Sequence, residues 1–280
     1  MEAIESVLRQ TYRDFEVLVR DDGSTDDTAA RVTGIAPAVR YLGLDHRGRP
    51  GWPRNRGIEA ARGEFVAFLD DDDLWEPQKL ARQIELLVCD PALDFIYTDR
   101  RLLSGDGSLP AIISTPAVRG ADQLVDLVLS RQMPFVCTWL VRRELLREVH
   151  GFDEMLVTGE EMDLLLRLAP STRADGVSEP LVLVRRQSGS VSERAGPLTF
   201  VNAVRVLEQW LATESLRSSQ RRRCRAMLAH LHTRLAAAAG EQGDLAGSAR
   251  AALRAIRHAP GSRAAWAAWP QALHDALRGL

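Results

Sequence analysis

The stretch from Gly63 to Trp75, GEFVAFLDDDDLW, decides the fold of this chain. Phe65 to Leu69 is a short apolar run, of the length of a buried strand and too short for a buried helix. It ends in four consecutive carboxylates, Asp70, Asp71, Asp72 and Asp73. Packed together at the edge of a low-dielectric core, four such groups repel one another. A divalent cation with its own ligand relieves that repulsion. Hard oxygen donors suit Mg²⁺ or Mn²⁺, and Mg²⁺ commonly takes only one or two carboxylates, with substrate phosphates completing the set. Pro77 is well placed to open a helix, and negative charge before a helix is favourable. That accounts for Asp73 and in part for Asp72, but not for Asp70 at the strand's end.

Outward from this stretch the pattern alternates. Towards the N-terminus, Ile4, Val7 and Leu8 fall at helical spacing. A short apolar run from Phe15 to Val19 then leads into a second acidic site, Asp21–Asp22, followed by Gly23. A helix is expected over about 26–32, capped by Ser24 or Thr25, then a strand near 39–42 and a helix near 54–61. Beyond the aspartates, Leu80, Ile84, Leu87 and Val88 make one helical stripe. Segments 94–98 and 136–141 read as strands, with a turn at Gly105–Asp106–Gly107 between them. Strands alternating with helices predict a layered α/β domain with a mostly parallel sheet. In such sheets ligands bind outside the carboxyl ends of the strands, where both Asp21 and Asp70 fall.

The polar segment Gln187–Pro197 reads as a linker, and almost everything after it is helical: 201–211, 220–239, 245–258 and 264–277. The organisation expected is therefore a domain over 1–192 and a small all-α C-terminal region over 198–280. Residues 243–266 resemble one tetratricopeptide-type hairpin. Charge follows the same division. Residues 1–197 hold 24 Lys/Arg against 33 Asp/Glu, a net of −9, whereas 198–280 hold 12 against 5, a net of +7. The overall −2 gives no reason to expect nucleic acid. Cys89, Cys137 and Cys224 show no metal-ligand rhythm, and reduced thiols are the simple reading. No basic leader with an apolar core opens the chain, and no window approaches the roughly 18 apolar residues of a membrane span. A cytoplasmic protein is expected, with peripheral membrane contact left open.

Three segments in order, EVLVRDDGSTDDT, PRNRGIEAARGEFVAFLDDDDLW and GFDEMLVTGEEMDLLLRLA, resemble the successive motifs of family 2 glycosyltransferases with the GT-A fold. The resemblance covers about residues 2–192. It implies transfer of a sugar from a nucleotide-diphosphate donor to an acceptor hydroxyl, with inversion at the anomeric carbon and with Mg²⁺ or Mn²⁺. Asp21, with Asp22 beside it, matches the family's base- and ribose-binding aspartate. Asp70 and Asp72 match the ends of its DxD motif, with Asp71 between them. Asp70 would face the ribose or sugar, and Asp72 the metal on the diphosphate. Arg54 lies where the family meets the donor phosphates.

On the acceptor side the family places an Asp after a Glu; here Glu161 follows Glu160 and takes the position of the catalytic base. Asp163 should point to another face of the same helix. Gln187 stands where the family often has a His near the diphosphate. The family also begins with a strand and a turn that flank the nucleotide base, and this sequence starts after them. These departures motivate a second reading, a degenerate protein that binds a nucleotide sugar or a partner without transfer. A Mg²⁺-dependent phosphohydrolase is a third, disfavoured because its chemistry also wants a lysine, and Lys79, the chain's only one, falls in a helix. The acceptor's class (saccharide, lipid-linked or small molecule) is left open. His230 and His232 read as solvated helix residues, as does the arginine run 221–223. Trp139 is a residue that could stack on a sugar.

Overall fold

The computed structural model describes residues 1–103, 111–118, 120–185, 189, 191–213 and 216–267. The chain divides into two compact units, Met1–Ser190 and Val191–Leu280.

The first unit runs α1 (Glu2–Leu8), β1 (Val17–Asp21), α2 (Thr28–Val32), β2 (Val39–Gly43), α3 (Gly51–Ala60), β3 (Phe65–Ala67), β4 (Leu74–Trp75), α4 (Lys79–Cys89), β5 (Phe95–Leu103), β6 (Ala111–Ile113), α5 (Ala121–Leu129), β7 (Leu140–Arg142), α6 (Arg143–Glu148), α7 (Glu160–Leu168) and β8 (Ala174–Arg185). β1 and β2 form a parallel pair. The remaining strands form one sheet in the order β3-β7-β5-β8-β4, with β6 also on β5.

This is the expected layered α/β architecture, and its sheet is mixed. The two parallel ladders, β1–β2 and β5–β8, are the longest. Four short pairings, β3–β7, β4–β8, β5–β6 and β5–β7, are antiparallel. Antiparallel partners can return through short connections, whereas parallel ones need a crossover.

Most elements lie within a few residues of their expected places. The segment 136–141 does not. Val136–Thr138 closes a 3-10 turn and only Leu140–Arg142 is strand. Local bonds draw that apolar run into a turn: the Thr138 hydroxyl donates to the Phe135 carbonyl at 2.6 Å, and the Trp139 indole to the Pro134 carbonyl at 3.1 Å. Helix starts differ too. Asp26, rather than Ser24 or Thr25, accepts from the Thr28 amide at 3.0 Å ahead of α2. α4 begins at Lys79, beyond Pro77, and its Leu80 amide donates to the fully buried Gln10 side chain at 2.9 Å. A cap supplied from another part of the chain satisfies one of the free amides that every helix start leaves. The turn expected at Gly105–Gly107 lies outside the described residues.

The core of this unit centres on β5, β7 and α7. Phe95, Ile96, Val136, Trp139, Leu146, Leu164, Leu165 and Leu168 are 0% exposed. Trp139 stacks on Phe152 at 6.5 Å and meets Phe95 edge-on at 5.3 Å. It is a packing residue and has no face left for a sugar.

The second unit is helical: α8 (Val191–Ala195), α9 (Pro197–Ala212), α10 (Ser218–Glu241) and α11 (Leu245–His258). Pro197 opens α9, where a missing amide proton costs nothing. Asp244 caps α11, accepting from the Gly247 amide at 2.8 Å. Ala236 and Ala252 are both buried where α10 and α11 pack closely. Arg222 and Arg223 are exposed, as a solvated face requires, whereas Arg221 is half-buried and donates to the Leu211 carbonyl at 2.8 Å. His232 is not solvated: it is 2% exposed, with its ring stacked on His258. Helical spacing within α10 could not reveal this, because the groups covering His232 come from its neighbours. The helix expected at 264–277 extends beyond the described residues.

Candidate active site

Asp70 stands three residues beyond β3, and α7 begins at Glu160 directly after Gly159, whose φ of +83° is a left-handed value that favours glycine. Arg54, in the first half of α3, joins these two distant places. Its guanidinium donates to Asp70 Oδ1 and to Glu160 Oε1, each at 2.8 Å. Burial works against the Arg54 charge, but Asp70, Glu160 and Glu161 together bind its proton more firmly than usual. Next to it, Asn55 holds the segment that leads to α7. Its side chain donates to the Phe152 carbonyl at 2.9 Å and accepts from the Phe152 amide at 2.8 Å. It also donates to Glu154 at 2.9 Å. Gly151, at φ +65°, passes so close that an added Cβ would lie 2.4 Å from Asn55 Oδ1.

Glu160 and Glu161 differ in their surroundings. Burial raises the Glu160 carboxyl above its ordinary value, and Arg54 offsets part of that. Among the described residues, Glu161 takes one direct bond, from the Val136 amide at 3.3 Å. Burial, and then the neighbouring Glu160 charge, push its carboxyl up to about 8. Their place in the first turn of α7 is favourable for anions, since the unpaired amides of a helix start carry positive partial charge. Asp163 is spent elsewhere, accepting from Arg167 at 2.9 and 2.6 Å.

The acidic run divides by environment. Asp71 is exposed. Asp72 is half-buried, and burial together with the Asp70 and Asp71 charges raises its carboxyl. Asp73 is not a helix cap: it is 2% exposed and accepts from the Arg185 amide at 3.1 Å, tying the turn to the end of β8. Burial pushes its carboxyl up to about 7.

Asp21 and Asp22 form a separate cluster at the end of β1. Asp21 accepts from the Ser24 amide at 2.8 Å and the Tyr41 hydroxyl at 2.7 Å. Burial would raise its carboxyl, but these bonds outweigh it and hold it low. Asp22 accepts from the amides of Arg47 and Gly48 at 2.9 and 2.7 Å, folding the 46–48 loop onto β1. Gln187 lies outside the described residues.

The structure therefore brings Arg54, Asp70 and Glu161 together and leaves Asp21 and Asp22 on the neighbouring strand end, against which α3 packs. Reading the sequence missed Glu160 as the partner of Arg54, and Asn55 as the clamp on 152–154. The one signal for Asn55 was its place beside Arg54 in the PRNRG segment. A Mg²⁺ or Mn²⁺ ion fits the donor set near Asp72, whose carboxyl stays raised by burial and by the Asp70 and Asp71 charges although Arg54 engages Asp70 and Arg185 offsets part of the effect. Among the described residues, no three of these carboxylates converge on one point. An ion there would take one or two of them and draw the rest of its shell from phosphate or water.

The fold is that of S. aureus TarS: residues 1–349 of that protein superpose with a TM-score of 0.69 at 18% identity, covering 98% of this chain and 84% of that one. TarS has also been solved in complex with UDP, with a TM-score of 0.60. In sequence the chain is 35% identical over 221 residues to the O-antigen biosynthesis protein RfbC of Myxococcus xanthus, covering 76% of this chain and 17% of that protein. It is 30% identical over 193 residues to an uncharacterized glycosyltransferase of Rickettsia felis, covering 68% of this chain and 31% of that protein. The chain thus spans less than a third of these relatives' length. The sequence profile described as "Glycosyl transferase family 2" matches residues 1–149, and the chain belongs to glycosyltransferase family 2.

Proposed function

We propose that this chain transfers a sugar from a nucleotide-diphosphate donor to an acceptor hydroxyl, with inversion. The observation that carries the reading is the Arg54 bridge, which draws the end of the acidic strand and the start of α7 into one polar site. Asp21 and Asp22 would bind the nucleoside, and Asp70 and Asp71 the sugar-phosphate portion. Arg54 would keep Asp70 in place and lend positive charge towards the phosphates. A Mg²⁺ or Mn²⁺ ion on Asp72 would stabilise the negative charge of the departing diphosphate.

The reaction is a single displacement. The acceptor oxygen bonds to the anomeric carbon as the bond to the diphosphate oxygen breaks, and the acceptor proton passes to Glu161. A base is most useful when its pKa lies near the working pH, and Glu161, pushed up to about 8, meets that condition. The UDP complex of TarS supports a uridine donor, and the O-antigen protein among the relatives supports an acceptor in polysaccharide synthesis.

The test is nucleoside-diphosphate release with a matched donor and acceptor. Asp72→Ala and Glu161→Gln should each abolish it. Wild-type rates in both variants would overturn the assignment. A binding protein without transfer, favoured by the Glu at 161, would instead show metal-dependent donor binding in calorimetry and no release with any acceptor.

A further inference from the structure

The C-terminal unit contains a second cluster of ligating groups that donor chemistry does not use. Glu208 on α9, His232 on α10 and His258 at the end of α11 present ligand atoms that all lie within 4.8 Å of one another. The two imidazoles stack with centroids 5.5 Å apart and planes 7° from parallel. Glu208 Oε1 is 3.9 Å from His232 Nε2, outside hydrogen-bond reach. His232 is 2% exposed, yet neither of its ring nitrogens has a hydrogen-bond partner. A buried polar atom left unpaired costs about 1–3 kcal/mol, and in a native protein it calls for a water or an ion.

We propose that Glu208, His232 and His258 form a transition-metal site, suited to Zn²⁺, that clamps α9, α10 and α11 together. Two neutral imidazoles and a carboxylate are a zinc-type donor set, with the fourth position open to water. A tetrahedral ion with bonds of roughly 2.0–2.1 Å needs its ligand atoms about 3.4 Å apart. Glu208, exposed, and His258, half-buried, have room to close that difference. Arg225, Arg254 and Arg257 oppose a cation here, but all three are exposed and screened by solvent. The rival explanation is a stacked histidine pair that only packs, with a water on His232.

The experiment titrates Co²⁺, then Zn²⁺, into the chelator-treated full chain carrying Asp72→Ala, which removes the donor-site metal ligand. One equivalent of Co²⁺ should give the visible absorption of a four-coordinate site, and Zn²⁺ should bleach it. Zn²⁺ should also raise the thermal midpoint. Glu208→Gln and His258→Ala should each abolish the absorption and weaken binding at least about tenfold. Circular dichroism checks their fold, and Glu208→Gln, at an exposed position, carries the test if His258→Ala unfolds. Absorption unchanged in both variants, or no stoichiometric binding, would overturn the proposal.

Discussion

Arg54 and Glu160 form an ion pair of which 12% and 7% of the respective side chains reach solvent. Taking both charges out of water costs several kcal/mol each, and their mutual attraction offsets this only while both are present. Removing one partner therefore costs more than the pair contributes. Arg54→Met keeps the volume and removes the charge, leaving Glu160 buried beside Asp70 and Glu161. Chemical denaturation at pH 7.5 should show a loss of about 3–5 kcal/mol, which should shrink at pH 5 as Glu160 takes up a proton. An unchanged midpoint would mean that water reaches this site more freely than its burial implies. The pairing was not legible in the sequence, because Arg54 and Glu160 lie 106 positions apart and nothing local marks one for the other. Asp21, Asp70 and Asp72 stand out in the sequence as candidates, because each is a charge where the local pattern calls for core or turn.

At the scale of elements, the site depends on how α3 grips the segment before α7. Asn55 makes that grip, and it needs Gly151 without a side chain and at positive φ. Gly151→Ala would pay twice, for the left-handed backbone and for a Cβ driven into Asn55 Oδ1. Such strain costs on the order of 1–3 kcal/mol. The variant should lose that stability and also lower kcat, since a shift of about 1 Å in Glu161, the proposed base, can cost a hundredfold. Stability lost with kcat intact would show that the segment does not position the base. Periodicity located most of the elements, because buried strands and amphipathic helices write their spacing into sequence. It failed at Val136–Val141, where side-chain bonds to nearby carbonyls turned an apolar run into a 3-10 turn, and at His232, whose cover comes from α9 and α11. It also left the sheet's mixed pairing open, since which strands meet is decided by tertiary packing.

For the molecule as a whole, charge divides the sequence into an acidic 1–197 and a basic 198–280, and the compact units are Met1–Ser190 and Val191–Leu280. The consequence for stability is set by the acidic unit. Glu161, Asp73, Asp72 and Glu160 all have carboxyls raised in the folded state, burial being the largest cause in each. A raised carboxyl means that the folded protein holds protons the unfolded chain releases, so stability falls as pH rises. For Glu161 the loss begins near the unfolded value of 4.5 and is complete above about 8. For Asp73 it runs from 3.8 to about 7. Without metal, these carboxyls alone lower the thermal midpoint from pH 5 to pH 8.5, against a rise contributed by the buried Lys79, pushed down to about 7, and by His232, pushed down to about 4. Glu161→Gln, which has no charge to bury, should flatten the upper part of that decline. A divalent ion acts in the opposite sense, because it binds the ionised carboxylates and competes with protons. Saturating Mn²⁺ should raise the midpoint more at pH 8 than at pH 6, with the apparent Kd tightening up to about tenfold per pH unit for each proton displaced. Asp72→Ala should remove most of that increment. A Glu161→Gln midpoint that keeps a constant offset from the wild type between pH 5 and pH 8.5, or an Mn²⁺ effect equal at both pH values, would show that these carboxyls are already ionised and compensated, and that the acidic run does not await a cation.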